Sequence, residues 1–209
     1  HTGWTSSTVG PAMHGVPSWQ GPLAARTLIT KVAERGAGGD PARECLVGTP
    51  DPVLRAHDES YGGYQEDPVA TLRKAVEPAD GYDDMVLLRG IRFSSHCEHH
   101  MITIVGVAHV AYVPDAQMIG ISKIARVVDI FARRLQIQEA MTSQIAAAIQ
   151  EAISPKGVAV LIDAEHQCMT TRGVQRPGMT TVTTHVTGCF KTDPAQRREF
   201  VEVATRSIR

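Results

Sequence analysis

The spacing of hydrophobic positions predicts strands and helices in separate parts of the chain. Four segments are rich in β-branched residues and bounded by turn residues, which predicts strands: 84–95, 102–114, 156–169 and 179–190. Between the second and third of these, residues 122–135 and 139–153 carry apolar side chains at helical spacing. The predicted buried faces are Ile124, Val127, Val128 and Phe131 on the first helix and Ile145, Ile149 and Ile153 on the second.

This order of elements predicts an α+β fold. Two strands, two helices and two strands favour an antiparallel four-stranded sheet with the helix pair on one face. Such a sheet keeps one open face and two open edges, which proteins cover or pair. We therefore expect the sheets of several subunits to join into a closed barrel.

The first third of the chain has a different character. Residues 1–22 are rich in Gly, Pro, Ser and Thr and show no period, which predicts a flexible arm. Three later segments favour helices, the second after a proline-rich turn: 23–36, 49–64 and 67–76. The predicted organisation is an arm over 1–22, a helical region over 23–80 and a catalytic domain over 81–209.

Composition narrows the partners and the compartment. The net charge of −1 gives no reason to expect nucleic acid or an anionic membrane as a partner. No apolar run approaches the roughly 18 residues of a membrane span. Four cysteines at wide, irregular spacing do not resemble a disulfide framework. These features predict a protein of the reducing cytoplasm.

The segment "SSHCEHHMITI" (94–104) holds three of the nine histidines and is the first candidate site. Cys97 and His100 have C-x-x-H spacing, so one turn could direct both at a metal ion. Cys168 is a third candidate, and two thiolates with one imidazole would leave a fourth position for water, as in catalytic zinc sites. The alternatives are a polar turn that is rich in histidine and a Cys168 that acts as a small buried hydrophobe.

Two further histidines are candidate acid–base groups. His166 stands two residues before Cys168, and on a strand both side chains would share one face. His99 is adjacent to His100. Either imidazole could act as a general acid or base beside the metal, although a structural histidine is the alternative for each.

The start of the first long helix is a candidate anion site. Ser122 is a good N-cap residue, and Lys123 and Arg126 follow it in the first turn, where basic residues oppose the helix dipole. With the free backbone N–H groups they could bind phosphate. Arg172 would add a cation near Cys168. A capped helix with solvated charges is the alternative.

Three blocks of the sequence resemble GTP cyclohydrolase I: "CEHH" (97–100), "IGISKIARVVDIFARRLQIQE" (119–139) and "EHQCMTTRGV" (165–174). The similarity runs from about residue 20 to the C-terminus, and the blocks have the order and spacing of that family. The resemblance implies the tunnelling fold and a toroidal homodecamer with active sites at subunit boundaries. It also implies conversion of GTP to 7,8-dihydroneopterin triphosphate and formate.

The resemblance assigns roles residue by residue. It implies three zinc ligands, namely Cys97, His100 and Cys168. His166 would handle the proton at N7 of guanine, and His99 and Ser122 match positions of the later ribose rearrangement. Gln138 and Glu139 match the guanine-recognition pair. The implied triphosphate contacts are Lys123, Arg126, Arg172 and Arg55.

One departure from the family pattern bears on the substrate. In "TPDPVLR" (49–55), Pro52 stands where the family has an arginine, while Arg55 keeps the second cation. Loss of one desolvated phosphate contact would cost about 1–3 kcal/mol of binding. The departure leaves room for a paralogue that acts on another purine nucleotide. A binding scaffold without activity is a third reading, which the intact ligand set disfavours.

Overall fold

The computed structural model describes residues 44–206, together with Thr27, Thr30, Lys31, Asp40 and Ala42. It divides into two compact units, over residues 1–57 and 58–209. The predicted arm over residues 1–22 lies outside the described residues. Of the predicted helix over 23–36, only Thr27, Thr30 and Lys31 are described, and all three are helical.

Short helices occupy the region before the sheet: α1 (Glu44–Val47), α2 (Pro50–Tyr61), a 3₁₀ turn (Gly62–Gln65) and α3 (Pro68–Arg73). The Asp67 side chain caps α3, because it accepts hydrogen bonds from the backbone N–H groups of Val69 and Ala70 at 2.9 and 3.0 Å. The helices predicted within 49–64 and 67–76 are confirmed. The turn expected before the first of them is instead the start of α2, at Pro50.

The described residues form a five-stranded sheet in the order β5-β2-β3-β6-β7. Its strands are β2 (Val86–Cys97), β3 (Thr103–Val113), β5 (Leu135–Gln136), β6 (Gly157–His166) and β7 (Thr181–Val186). The four long strands pair antiparallel, as predicted, and the two-residue β5 lies parallel to the end of β2. A separate pair joins β1 (Val76–Pro78) to β4 (Gln117–Ile119).

The long helices α4 (Ile121–Ala132) and α5 (Gln138–Ile153) share the main core with one face of the sheet. The apolar positions predicted to face the sheet are buried: Ile124, Val127, Val128, Phe131, Ile145, Ile149 and Ile153. Burial of these side chains is worth about 1.5–3 kcal/mol each. The α+β layout is thereby confirmed.

The opposite face of the sheet is partly covered, which corrects the expectation of an open face. The helices α7 (Gly188–Thr192) and α8 (Pro194–Thr205) pack there in a second core. Its members are Phe190, Phe200 and Ala204 of the helices and Ala111, Val113, Ala159 and Leu161 of the sheet. On this face, Val105 of β3 and Val182 of β7 stay exposed at 48% and 57%.

Strand β6 ends earlier than the sequence predicted. It stops at His166, and a single helical turn, α6 (Gln167–Thr170), follows. The backbone N–H of Thr171 donates to the carbonyl of Gln167 at 2.9 Å and closes this turn. Cys168 therefore lies on a helical turn, so the argument that it shares a strand face with His166 was wrong. Strand β7 is also shorter than the predicted 179–190.

Candidate metal centre and active site

The sheet register brings two distant parts of the chain together. Ile104 of β3 pairs with Ser95 of β2 on one side and with His166 of β6 on the other. The ends of β2 and β6 therefore flank the start of β3. Cys97 is the last residue of β2 and Cys168 follows β6 directly, so both reach the same end of the sheet.

A tight loop between β2 and β3 positions His100. The backbone N–H of Cys97 donates to the carbonyl of Ile102 at 2.9 Å, and that of Met101 donates to the carbonyl of Cys97 at 2.8 Å. Met101 has a φ of 53°, a left-handed conformation that lets the chain reverse between the strands. The loop thus holds His100 beside Cys97.

Cys97, His100 and Cys168 form a cluster whose ligand atoms all lie within 4.8 Å of one another. The Cys97 sulfur is 3.9 Å from Nδ1 of His100. Ligands that bind zinc tetrahedrally at about 2.0–2.3 Å stand about 3.5–3.8 Å apart, so closing on an ion needs little movement. Both cysteines are buried, and His100 is exposed. The donor set and its geometry therefore fit a zinc ion with one open position.

The surroundings of Cys168 favour its neutral thiol as long as no cation is bound. Burial raises the pKa of the Cys168 thiol above its usual value, and the adjacent Cys97 raises that pKa further. The charge of Arg172 lowers the same pKa, which puts Arg172 close to the cluster. A bound dication reverses this balance and stabilises both thiolates.

His166 is fixed beside the cluster by a hydrogen bond. Its Nε2 lies 2.7 Å from Oε1 of Gln138, the first residue of α5. Burial lowers the pKa of the His166 imidazole below its usual value, and the nearby Glu139 carboxylate raises that pKa. Glu139 itself is exposed. His166 thus lies two residues before Cys168, with Gln138 and Glu139 near its ring.

Gln138 does not present its side chain to solvent. Its residue is 3% exposed, and its amide nitrogen donates to the carbonyls of Ile162 and Thr181 at 3.2 and 2.8 Å. The Gln138 amide, which was predicted to contact guanine, is therefore already hydrogen-bonded within the protein. Sequence reasoning missed this inward orientation.

His99 stays a candidate next to the metal cluster. Its Nδ1 is 3.7 Å from the Cys97 sulfur, and its ring is 6.2 Å from the ring of His100. Because His99 is exposed, it can contact a bound molecule over the open position.

The start of α4 differs from the prediction in its cap. Gly120 is the N-cap residue, so Ser122 lies inside the first turn. The N–H of Gly120 donates to the carbonyl of Ala75 at 2.8 Å, which fixes the chain there before the helix begins. Ser122 and Arg126 are exposed and Lys123 is half-buried. Among the described residues, none of the three forms a hydrogen bond or ion pair with the metal cluster.

Arg126 instead lines a cavity of about 460 Å³ beside β2. Two arginines that the sequence did not single out, Arg92 and Arg133, line it as well, with His96 and Asp129. Arg133 is paired with Glu66, whereas Arg92 and Arg126 are exposed. Burial raises the pKa of Asp129, and Arg126 and Arg133 lower it. The cavity therefore holds arginine and acidic side chains together, since Glu59 lines it as well.

Comparison with similar sequences shows the family of this chain. Residues 26–205 match the family model described as GTP cyclohydrolase I. The chain belongs to the GTP cyclohydrolase I family. A relative named GTP cyclohydrolase 1 from Maricaulis maris is 50% identical over 203 residues, which is 97% of each chain. A second, from Sinorhizobium fredii, is 54% identical over 171 residues, 82% of this chain and 83% of the relative.

Membership of the GTP cyclohydrolase I family agrees with the resemblance carried by the three sequence blocks. The match from 26 to 205 includes every candidate site residue, from Arg55 to Arg172. The family is metal-dependent, and the cluster of Cys97, His100 and Cys168 could hold the metal. In the part of the chain that the structure describes, no helix is long and apolar enough to cross a membrane.

Pro52, where the family resemblance implies an arginine, is compatible with the helix that contains it. Pro52 is the third residue of α2, and the first helical hydrogen bond runs from the N–H of Val53 to the carbonyl of Thr49 at 3.1 Å. The missing N–H of a proline costs nothing at this point of a helix. Arg55 is exposed on the same helix. The helix is therefore intact, and the substitution changes its side chains only.

Proposed function

We propose that this protein is a zinc-dependent GTP cyclohydrolase I, which opens the imidazole ring of GTP and gives 7,8-dihydroneopterin triphosphate and formate. The observation that carries the proposal is the cluster of Cys97, His100 and Cys168 with His166 held beside it. The family relatives named GTP cyclohydrolase 1 support the same substrate.

The metal would be held by the two thiolates and one imidazole. This soft donor set favours zinc over the hard cations that prefer oxygen ligands. When bound, zinc supplies a Lewis acid that makes water reactive near neutral pH. Both thiols must be reduced to bind it, so the cytoplasm stays our prediction for the location of the protein.

The remaining residues would bind and orient the nucleotide. The Glu139 carboxylate is exposed and suited to accept hydrogen bonds from N1–H and the exocyclic amine of guanine. His166 would exchange the proton at N7. His99 and Ser122 would serve the later opening and rearrangement of the ribose.

The triphosphate would be bound by a set of cations: Lys123, Arg126, Arg172 and Arg55. Arginine and phosphate form strong charge-assisted hydrogen bonds, often two at a time. The cavity around Arg126 supports this assignment, because Arg92 lines it as well and both arginines are exposed. Arg172 would bind the triphosphate near the metal cluster, since its charge lowers the pKa of the Cys168 thiol.

We further propose a homo-oligomer, a decamer by the family resemblance, with active sites between subunits. The shared site follows from the family resemblance, and within one chain the start of α4 makes no hydrogen bond to the metal cluster among the described residues. In the same residues, β2 from Val86 to Ser95 and the outer edge of β7 pair with no further strand. Such edges favour pairing with other subunits.

A shared site predicts complementation between two impaired variants when GTP is far below the KM of Arg126→Ala. Co-expressed His166→Asn and Arg126→Ala chains should form mixed oligomers in which roughly a quarter of sites draw both intact residues from different subunits. Turnover at this GTP concentration should therefore recover to about that fraction, while mixtures of separately purified, non-exchanging variants keep the lower turnover of their components. Light scattering that reports an active monomer would refute the assembly.

The substrate is tested by GTP turnover with and without the family arginine. The parent protein should produce fluorescent neopterin after oxidation, and Pro52→Arg should lower KM for GTP by about 5- to 100-fold with kcat nearly unchanged. The reason is that the added cation contacts phosphate and not the reacting base. Steady-state kinetics on both proteins measure this, with Ala70→Arg, which adds the same charge on exposed α3, as the control.

A paralogue for a different purine nucleotide predicts another outcome. It would turn over little GTP, and Pro52→Arg would not rescue it. This second candidate rests on Pro52 alone. A scaffold without activity is disfavoured, because it has no use for His166 held at the cluster.

A further inference from the structure

The buried side chain of Gln138 carries an inference about the acid–base group. Gln138 begins α5, and its side chain reaches across to β6 and β7. It lies between His166 on one side and Thr183 on the other, with hydrogen bonds of 2.7 and 3.1 Å. At 3% exposure, its polar atoms are satisfied by the protein.

The orientation of the Gln138 amide follows from its acceptors. Its nitrogen faces the carbonyl oxygens of Ile162 and Thr181, at 3.2 and 2.8 Å. Carbonyl oxygens only accept, so the NH₂ end must face them, because a flipped amide would oppose two oxygens with a third. The amide oxygen of Gln138 therefore faces His166.

Two threonine hydroxyls complete this arrangement. Thr142 donates to the carbonyl of Gln138 at 2.7 Å, and the hydroxyls of Thr142 and Thr183 are 2.7 Å apart. Each hydroxyl has one proton, so the proton of Thr183 goes to Thr142, and the Thr183 oxygen is a third acceptor near the Gln138 amide nitrogen, at 3.1 Å. The two amide protons are shared among three oxygen atoms, and all three favour the nitrogen on this side of the amide.

The same logic fixes a proton on His166. The Oε1 atom of Gln138 only accepts, and it lies 2.7 Å from Nε2 of His166. Nε2 must therefore carry the proton of the neutral ring, and Nδ1 carries the lone pair.

We propose that Gln138 is a positioning residue that holds His166 as the tautomer protonated on Nε2 and leaves the lone pair of the ring on Nδ1. The proposal rests on the hydrogen bond between the two side chains. It rests on the proposed function only for the task of His166.

Neutron diffraction on the metal-loaded protein tests the tautomer without any substrate. After exchange into heavy water, deuterium should be found on Nε2 of His166 and directed at Oε1 of Gln138. Deuterium on Nδ1 with an empty Nε2 would overturn the proposal. Because this measurement needs no turnover, it decides the tautomer even if the protein proves inactive on GTP.

Kinetics separate positioning from substrate binding. Gln138→Met keeps the length of the side chain and removes the acceptor, so kcat should fall by about 10- to 100-fold with KM for GTP nearly unchanged. The Nε2 tautomer should also lose its full occupancy in the neutron map. A rise in KM with kcat unchanged would instead identify Gln138 as a guanine contact and overturn the proposal.

Two control variants exclude general damage. Thr183→Val disturbs the same cluster but leaves both carbonyl acceptors of Gln138, so the tautomer should persist and kcat should change by less than about threefold. Gln117→Met makes the same substitution at an exposed position of β4 and should match the parent. If Thr183→Val loses as much kcat as Gln138→Met with the tautomer intact, a packing effect explains both and the proposal fails.

Discussion

Replacing Cys168 by serine is expected to remove the bound metal and to lower GTP turnover by at least about 1,000-fold. Serine keeps the size of the side chain but its hydroxyl is a poor zinc ligand, and Cys97 and His100 alone leave the site incomplete. A metal contributes several kcal/mol to catalysis, and a loss of about 4 kcal/mol corresponds to this factor. Elemental analysis should find about one zinc per parent subunit and little in the variant.

The chain offers a matched control for this experiment. Cys189 is half-buried on α7, outside the metal cluster, and its sulfur packs near Gly157. The variant Cys189→Ser should keep both the zinc content and the turnover of the parent. A Cys168→Ser protein with undiminished zinc would show that the cluster is not the metal site.

The elements that the sequence predicted best are those whose burial shows a clear period. The isoleucines of α5 and the β-branched runs of β3 and β6 face one core along their whole length, so their spacing reports the fold directly. The short β5 has no such signal, because two residues cannot show a period and the parallel pairing with Cys97 depends on tertiary contacts.

The helix α8 carried a local signal that the sequence reading did not use. Asp193 caps it by accepting from the N–H of Ala195 at 2.8 Å, and Pro194 occupies its first turn. The sequence "DPAQRREF" therefore predicts the start of a helix. Its apolar residues Phe200 and Ala204 could then have been matched to the second face of the sheet.

The candidate site shows a similar division. Residue chemistry and spacing made Cys97, His100 and Cys168 candidate metal ligands, and the family resemblance implied the full set. The direction in which Gln138 points depends on carbonyls of β6 and β7 that lie far away in sequence. Likewise, the N-cap residue of α4 is Gly120 and not Ser122. The N–H of Gly120 donates to the carbonyl of Ala75, a contact that no local sequence pattern reveals.

Replacing His166 by asparagine should leave the metal in place and lower kcat for GTP by about 100- to 10,000-fold, the range for loss of a general acid or base. Asparagine is polar and smaller than histidine, and His166 is not one of the three candidate metal ligands, so zinc content should match the parent.

The matched control is His185→Asn on strand β7, where the imidazole is exposed and no site residue is in hydrogen-bond contact. Pre-steady-state and steady-state turnover of GTP, measured beside elemental analysis, separate this loss from the loss in Cys168→Ser. A variant with full zinc and nearly full kcat would remove His166 from the proton transfer, and the acid–base role would then fall to His99, whose Nδ1 lies 3.7 Å from the Cys97 sulfur.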